Sequence, residues 1–355
     1  MQPTGEPITS FDEYLRRIPK AETHAHLIGS MRPSTYDEFA RRAGAVLPRP
    51  AAEFYPYENF YEFLKLSRLG TTFLNTREDF ARIIFEALED GLRDSNQRHT
   101  EMFFNPQYFM ARGIDYRTVV GGLCDGVREA RKRWGVSCLL IPSIGRQIDE
   151  RAAHEVLDAI LAYREDEVVG IGLDGAERDG PPERFAAIYQ RAGRAGLKRT
   201  AHVCEDNQTL AEAPPSNFAT CCDLLGCDRF DHGYNLLASD DMIRRARDEG
   251  KYFTTVAFAS AADRCERRWQ SIGRMVDEGL KVTVNTDNSA MFGTNLAHSY
   301  HAVCTACGWR HREARRLSLA GVEASWLDDG EKRSLSSEFS TALDTLDAAF
   351  VSGTS

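Results

Sequence analysis

His24 and His26 flank a single alanine in the run Pro19-Lys20-Ala21-Glu22-Thr23-His24-Ala25-His26-Leu27. Alternate residues of a strand share a face, so an extended run points both imidazoles the same way and supplies half of a metal site. Paired histidines also occur on solvated strands, and their company decides between the readings. Three further runs end in comparable chemistry: Lys198-Arg199-Thr200-Ala201-His202-Val203-Cys204-Glu205, Arg229-Phe230-Asp231-His232-Gly233, and Lys281-Val282-Thr283-Val284-Asn285-Thr286-Asp287-Asn288. Each is short, apolar or β-branched, and closes on imidazole or carboxylate, the donor mix that zinc prefers.

Side chains on runs so far apart meet only if a fold brings the strand ends together. Eight strand-like segments are read at about 21–27, 99–105, 136–144, 167–175, 198–205, 229–234, 251–258 and 281–288. Between most of them, apolar residues recur at three- and four-residue intervals, as in Tyr116 to Arg131, Ala152 to Ala162, Glu183 to Gly196 and Asp240 to Asp248, which predicts helices. Strands alternating with helices pair in parallel. Eight such units close a (β/α)8 barrel of the TIM type, whose chemistry sits at the C-terminal strand ends, where every candidate falls.

The long interval after the first strand predicts a helical insertion. It holds Phe54-Tyr55-Pro56-Tyr57-Glu58-Asn59-Phe60-Tyr61-Glu62-Phe63-Leu64, whose aromatics either pack or cover a flat ring at the barrel mouth as a lid. Beyond the barrel, at about 19–310, the pattern turns helical over Glu313 to Ser325 and Ser336 to Phe350, so helices at about 311–350 brace it. No repeat or low-complexity linker divides residues 1–355, and a single domain is expected.

Together with Leu27-Ile28-Gly29-Ser30, Thr76-Arg77-Glu78-Asp79-Phe80, Val169-Gly170-Ile171-Gly172-Leu173-Asp174-Gly175-Ala176-Glu177 and Asn285-Thr286-Asp287, the runs resemble the adenosine/adenine deaminase family of metal-dependent amidohydrolases, from near residue 19 to near 296. The resemblance implies that His24, His26, His202 and Asp287 bind one Zn2+ per chain, leaving room for a water made acidic by the metal. It implies a proton shuttle at Glu205, a histidine at His232 that holds the attacking oxygen, a second role for Asp287 in taking the water proton, and a close backbone approach to a purine edge at Gly175. Read alone, His232 before a glycine is a satisfied strand-end histidine, and Glu205 is an ordinary helix-entry carboxylate.

Four departures from the family pattern fall near the expected pocket. Ile28 stands where members carry an acidic residue serving the ribose end, and its side chain makes no hydrogen bond. Asn288 stands where a second Asp follows the metal ligand and contacts a ring nitrogen; an amide donates there at any pH. Phe253-Thr254-Thr255-Val256-Ala257-Phe258-Ala259-Ser260 lacks the Cys-Pro-x-Ser-Asn ending, and Gly172-Leu173-Asp174 replaces Asp-Leu followed by a small residue. The resemblance with these changes implies a hydrolytic deaminase of an aminopurine nucleoside or related amino-heterocycle, releasing ammonia from a substrate other than plain adenosine. The alternatives are hydrolysis of an N-substituted adenine or non-purine heterocycle, and a catalytically silent nucleoside-binding relative.

Bulk properties fit an enzyme acting on a small molecule. The 355 residues are 42% hydrophobic, and a net charge of −9 without a long basic block argues against a nucleic-acid partner. No signal-type apolar core or membrane-length apolar run occurs, so the expected location is cytoplasmic; the sequence assigns no oligomeric state. Nine cysteines, including Cys304-Thr-Ala-Cys307, are read as reduced thiols, the last pair as helix packing. His99, His154, His298, His301 and His311 match no ligand position; His298 and His301 would share a helix face.

Overall fold

The β-branched and aromatic runs form the strands of a computed structural model that describes residues 7–47, 50–54, 60–259 and 262–350. They are β1 (Lys20–His26), β2 (Gln97–Phe104), β3 (Ser137–Gly145), β4 (Gly170–Asp174), β5 (Lys198–Arg199), β6 (His202–Val203), β7 (Phe230–His232), β8 (Tyr252–Val256) and β9 (Lys281–Asn285). All pairings are parallel, in the orders β1-β2-β3-β4-β5 and β6-β7-β8-β9. β5 and β6 are halves of one barrel strand. Across the break Thr200 N donates to Ile171 O at 3.0 Å, and Asp231 N to Ala201 O at 3.0 Å, which joins the two sheets. The barrel closes between β9 and β1, where His26 N donates to Asp287 O at 2.7 Å and Asp287 N to His24 O at 3.0 Å. Backbone of three expected metal ligands therefore completes the (β/α)8 barrel.

Crossover helices follow most strands, with N-caps supplied by Asp115, Asp149, Ser239 and Asn295, whose side chains accept from first-turn amides. The expected helix from Glu183 starts as a 3-10 turn over Pro182–Phe185 and becomes α-helical over Ala186–Arg194. The interval between β1 and β2 carries helices Pro33–Arg42, Ala51–Phe54, Phe60–Thr71 and Arg77–Ser95, the last opened by a capping box of Thr76 with Asp79. Residues 55–59 of the expected aromatic lid lie outside the described residues. At the far end, Asp328 caps a helix at Asp329–Ala349, earlier than the expected Ser336, because its carboxylate accepts from Gly330 N and Glu331 N.

The strands end earlier than the sequence pattern implied, and the difference positions the site. Cys204 and Asp287, just past β6 and β9, and His232, the last residue of β7, lie in the left-handed region, at φ of 54°, 64° and 69°. Such a conformation costs a non-glycine residue about 1–3 kcal/mol and bends the chain sharply at the barrel mouth. Buried apolar side chains from Ile8 to Leu346 form one continuous core cluster beneath it. Among the described residues no helix is long and apolar enough to cross a membrane.

Candidate metal and acid/base site

The strand ends bring His24, His26, His202 and Asp287 together, with one donor atom from each within 4.8 Å of the others. His202 Nε2 lies 3.2 Å from His24 Nε2 and 3.0 Å from His26 Nε2, while Asp287 Oδ1 is 3.3 Å from His26 Nε2 and 3.7 Å from His24 Nε2. Donors bound tetrahedrally to zinc at about 2.0–2.1 Å lie roughly 3.3 Å apart, so this spacing fits one such ion. His24 Nδ1–H donates to Thr254 O at 3.1 Å, and His202 Nδ1–H to Asp231 Oδ2 at 3.2 Å. These partners turn the Nε2 lone pairs inward. Phe103 walls the cluster, its ring 5.3 Å from that of His24 and 5.0 Å from that of His26.

Burial and mutual proximity set the protonation of this cluster. Burial, then the charge of His202, pushes His24 down to about 3, and the same causes lower His26. Burial also opposes a charged His202, yet the hydrogen bond and charge of Asp231, with Asp174 and Asp287, carry it up to about 9. Burial pushes Asp287 up to about 8 against the pull of His202. Asp231 is held below the usual carboxylate range because its bond to His202 and nearby positive charges outweigh its burial. His24 and His26 are thus ready as neutral ligands, whereas a cation displaces protons at His202 and Asp287.

Glu205 and His232 share the pocket with the cluster. Glu205 Oε1 is 3.6 Å from His232 Nε2, and the His232 ring lies 4.9 Å from those of His24 and His202. Burial raises the Glu205 pKa against the opposing charge of Arg268. His232 is held neutral by burial and the neighbouring charges of His202, His24 and Arg268. Gly175, at φ 92°, lines the same pocket, where a Cβ would come 3.1 Å from Gln147 Oε1. The pocket opens to solvent, and Phe60, Phe63 and Leu64 line it together with Asn105, Tyr108 and Gln147.

The departures divide by position. Asn288 lines the pocket but spends an amide N–H on Asp287 Oδ1 at 2.6 Å, so it orients a metal-site carboxylate and keeps one N–H for a ligand. Its Oδ1 would lie 1.9 Å from a Cβ on Gly29, so glycine is needed there. Ile28 is outside the residues lining this pocket; its Cγ2 faces Gly70 on helix Phe60–Thr71 and supports that helix from beneath. Gly172 makes room for Phe103, whose Cε1 would be 2.9 Å from an added Cβ. Asp174 lines the pocket, and both its oxygens accept from Asn105 Nδ2 at 2.9 and 2.8 Å. Where the strand-seven ending is lost, Arg268 Nη1 donates to Phe258 O at 3.0 Å and Trp269 Nε1 to Ala257 O at 2.7 Å, pinning that loop; Ser260 lies outside the described residues.

Two positioning residues went unread in the sequence. Arg268, 1% exposed, donates to Glu205 Oε1 at 3.2 Å and to Asp206 Oδ1 at 2.7 Å. Glu177, also 1% exposed, accepts from Glu205 N at 3.1 Å and from Asn217 Nδ2 at 2.7 Å. A buried arginine on helix Ala262–Asp277 carries no local signal, whereas the carboxylate of Asp231 beside His232 could have been found from its parallel register with His202. His298 and His301 do not form a second site: His298 lies against Phe258 at 4.6 Å, and His301 is 3.9 Å from Asp12. All nine cysteines are free, and Cys307 Sγ donates to Trp269 O at 3.4 Å.

The family model for adenosine deaminase matches residues 19–342. The chain is 35% identical over 318 residues to an adenine deaminase from Bordetella parapertussis, covering 88% of this chain and 98% of that one. Among solved structures it is similar to adenine deaminase from Arthrobacter aurescens, at 30% identity and a TM-score of 0.84 over 92% of this chain and 99% of that one. It is also similar to an amidohydrolase from Burkholderia ambifaria with bound zinc, at 32% identity and a TM-score of 0.86 over 97% of this chain and 99% of that one.

Proposed function

We propose, since the chain belongs to the adenosine deaminase family, that its reacting group is the exocyclic amine of an adenine-type 6-aminopurine, replaced by oxygen with release of ammonia. The chain is a zinc-dependent aminohydrolase. Relatives at 30% identity and above that bear the name adenine deaminase support adenine as the reacting ring. The observation that carries the reading is the convergence of four ligand atoms within 4.8 Å beside Glu205 and His232.

His24, His26, His202 and Asp287 would hold zinc, which when bound would supply a Lewis acid able to lower the pKa of water towards neutrality. Asp287 takes the proton of the attacking water, and neutral His232 hydrogen-bonds the attacking oxygen. Glu205, whose pKa burial raises, is the group placed to deliver a proton to the ring nitrogen as the C–O bond forms. Arg268 fixes the Glu205 carboxyl, and Glu177 fixes its backbone amide. The second proton leaves with the amine as the C–N bond breaks, giving one ammonia and one 6-oxopurine per water consumed. Gly175 and the remaining Asn288 N–H face the ring. Turnover of adenine by the zinc-loaded chain in 18O-water should give equimolar ammonia and 18O-labelled hypoxanthine. A zinc-loaded chain that releases no ammonia from adenine or any 9-substituted adenine would overturn the assignment.

A further inference from the structure

Helix Phe60–Thr71 presents Phe60, Phe63, Leu64, Ser67 and Arg68 to the catalytic pocket, spaced so that one helix face roofs it. Four of these suit a flat, mostly apolar ligand; Arg68 does not. Among the described residues it is the only lysine or arginine lining the pocket, and its Nε is buried with no hydrogen-bond partner there. The described carboxylates of the lining are engaged elsewhere. Asp174 is held by Asn105, Glu205 by Arg268, and Asp287 belongs to the metal cluster and accepts from Asn288. A guanidinium with an unmet buried donor is costly unless a ligand completes it.

The groups around Arg68 are also donors. The Tyr108 hydroxyl oxygen accepts from the Arg68 side chain and from Gln147 Nε2, which leaves its own O–H to donate into the pocket. Ser67, one residue before Arg68, adds another hydroxyl to the lining. A planar fork of N–H groups beside the Tyr108 hydroxyl, in a pocket that Ser67 also lines, matches the oxygens of a carboxylate or phosphate. Neutral adenine would leave this donor set empty at the end of the pocket formed by the insertion helix.

We propose that Arg68, assisted by Tyr108 and Ser67, reads an oxyanion on a substituent of the aminopurine, so that the substrate is an anionic 9-substituted adenine. This rests on the deaminase reading and adds the substituent. Two matched pairs separate the sources of the anion: 9-(carboxyalkyl)adenine against its carboxamide, and adenosine 5′-monophosphate against adenosine. In at least one pair wild type should favour the anion in kcat/KM by about tenfold to a hundredfold, the worth of a charged hydrogen bond at a desolvated site. Arg68→Gln should collapse that ratio towards one, and Arg68→Lys should restore part of it. The corresponding 6-oxopurines, which cannot be deaminated, give the same comparison as Kd values by calorimetry on the zinc-loaded wild type and both variants. This binding arm stands even if no amine turns over, so failure of the deaminase reading shows as absent ammonia with the anion preference intact. Equal binding of anionic and neutral members, or a preference that survives Arg68→Gln, would overturn the proposal.

Discussion

At its N-terminal end the barrel buries Arg229 against Glu101; at its C-terminal end it buries His24, His202, Asp287, His232 and Glu205. The lower charges are paired, although Arg229 Nε has no hydrogen-bond partner among the described residues. Arg229 pairs with Glu101, donates to Thr23 O at 3.0 Å and Ala324 O at 3.3 Å, and stacks 4.1 Å from the Trp326 ring, while Glu101 also accepts from Trp326 N. Nearby, buried Lys20 is spent on the carbonyls of Ile18 and Ser95 at 2.8 and 2.9 Å. The upper groups instead turn imidazole Nε2 atoms toward one another, hold His232 and Asp287 at positive φ, and leave His232 Nδ1 without a partner among the described residues. One end is closed for stability, and the other is held open for a ligand, with its strain maintained by the scaffold.

The contrast breaks most sharply when a convergent ligand is removed. His202→Ala should lose bound zinc, and with it turnover by about a thousandfold or more, while the metal-free melting temperature should not fall; metal analysis and calorimetry check both. Next, Glu101→Gln leaves Arg229 buried and unpaired, and should cost about 3–5 kcal/mol in chemical denaturation without altering activity per folded molecule. An activity loss at constant stability would erase the distinction between the two ends.

Asp231→Asn sharpens the comparison, since it touches only the partner of a metal-site histidine. Zinc affinity should fall about 10–100-fold with the fold intact, as read by competition with a chelator. A smaller effect comes from pH. His202 at about 9 and Asp287 at about 8 are raised, so both bind protons below those values, and zinc must displace them. Affinity should therefore strengthen as pH rises from 6 to 8, by about tenfold or more per unit. Titrations in buffers of different ionisation enthalpy should show proton release, and a flat profile would mean that the ligands are already deprotonated.

The sequence was most legible where periodicity is short. His24 and His26 declare a shared face within three residues, and the eight strand runs with their intervening helical patterns lead directly to the barrel. What it concealed depends on distant contacts. Nothing near Arg268 in sequence points to Glu205, 63 residues away, and nothing near Glu177 points to the Glu205 amide. Positive φ at His232 and Asp287 likewise cannot be read from residue type alone, because even Asp and His, the non-glycine types that favour it most along with Asn, adopt it only occasionally. Ile28 shows the opposite error of reach: adjacent to pocket residues in the chain, it faces Gly70 instead, because the turn after β1 directs it under the insertion helix.

The central claim is that the open end of the barrel is a hydrolytic site in which Glu205 moves protons and does not hold the metal. Its most direct test is Glu205→Gln, measured for zinc content and for ammonia release from the best purine substrate. The account predicts zinc retained at the wild-type level and kcat reduced by about 10²–10⁴. Wild-type turnover in Glu205→Gln, or loss of zinc together with activity, would contradict it.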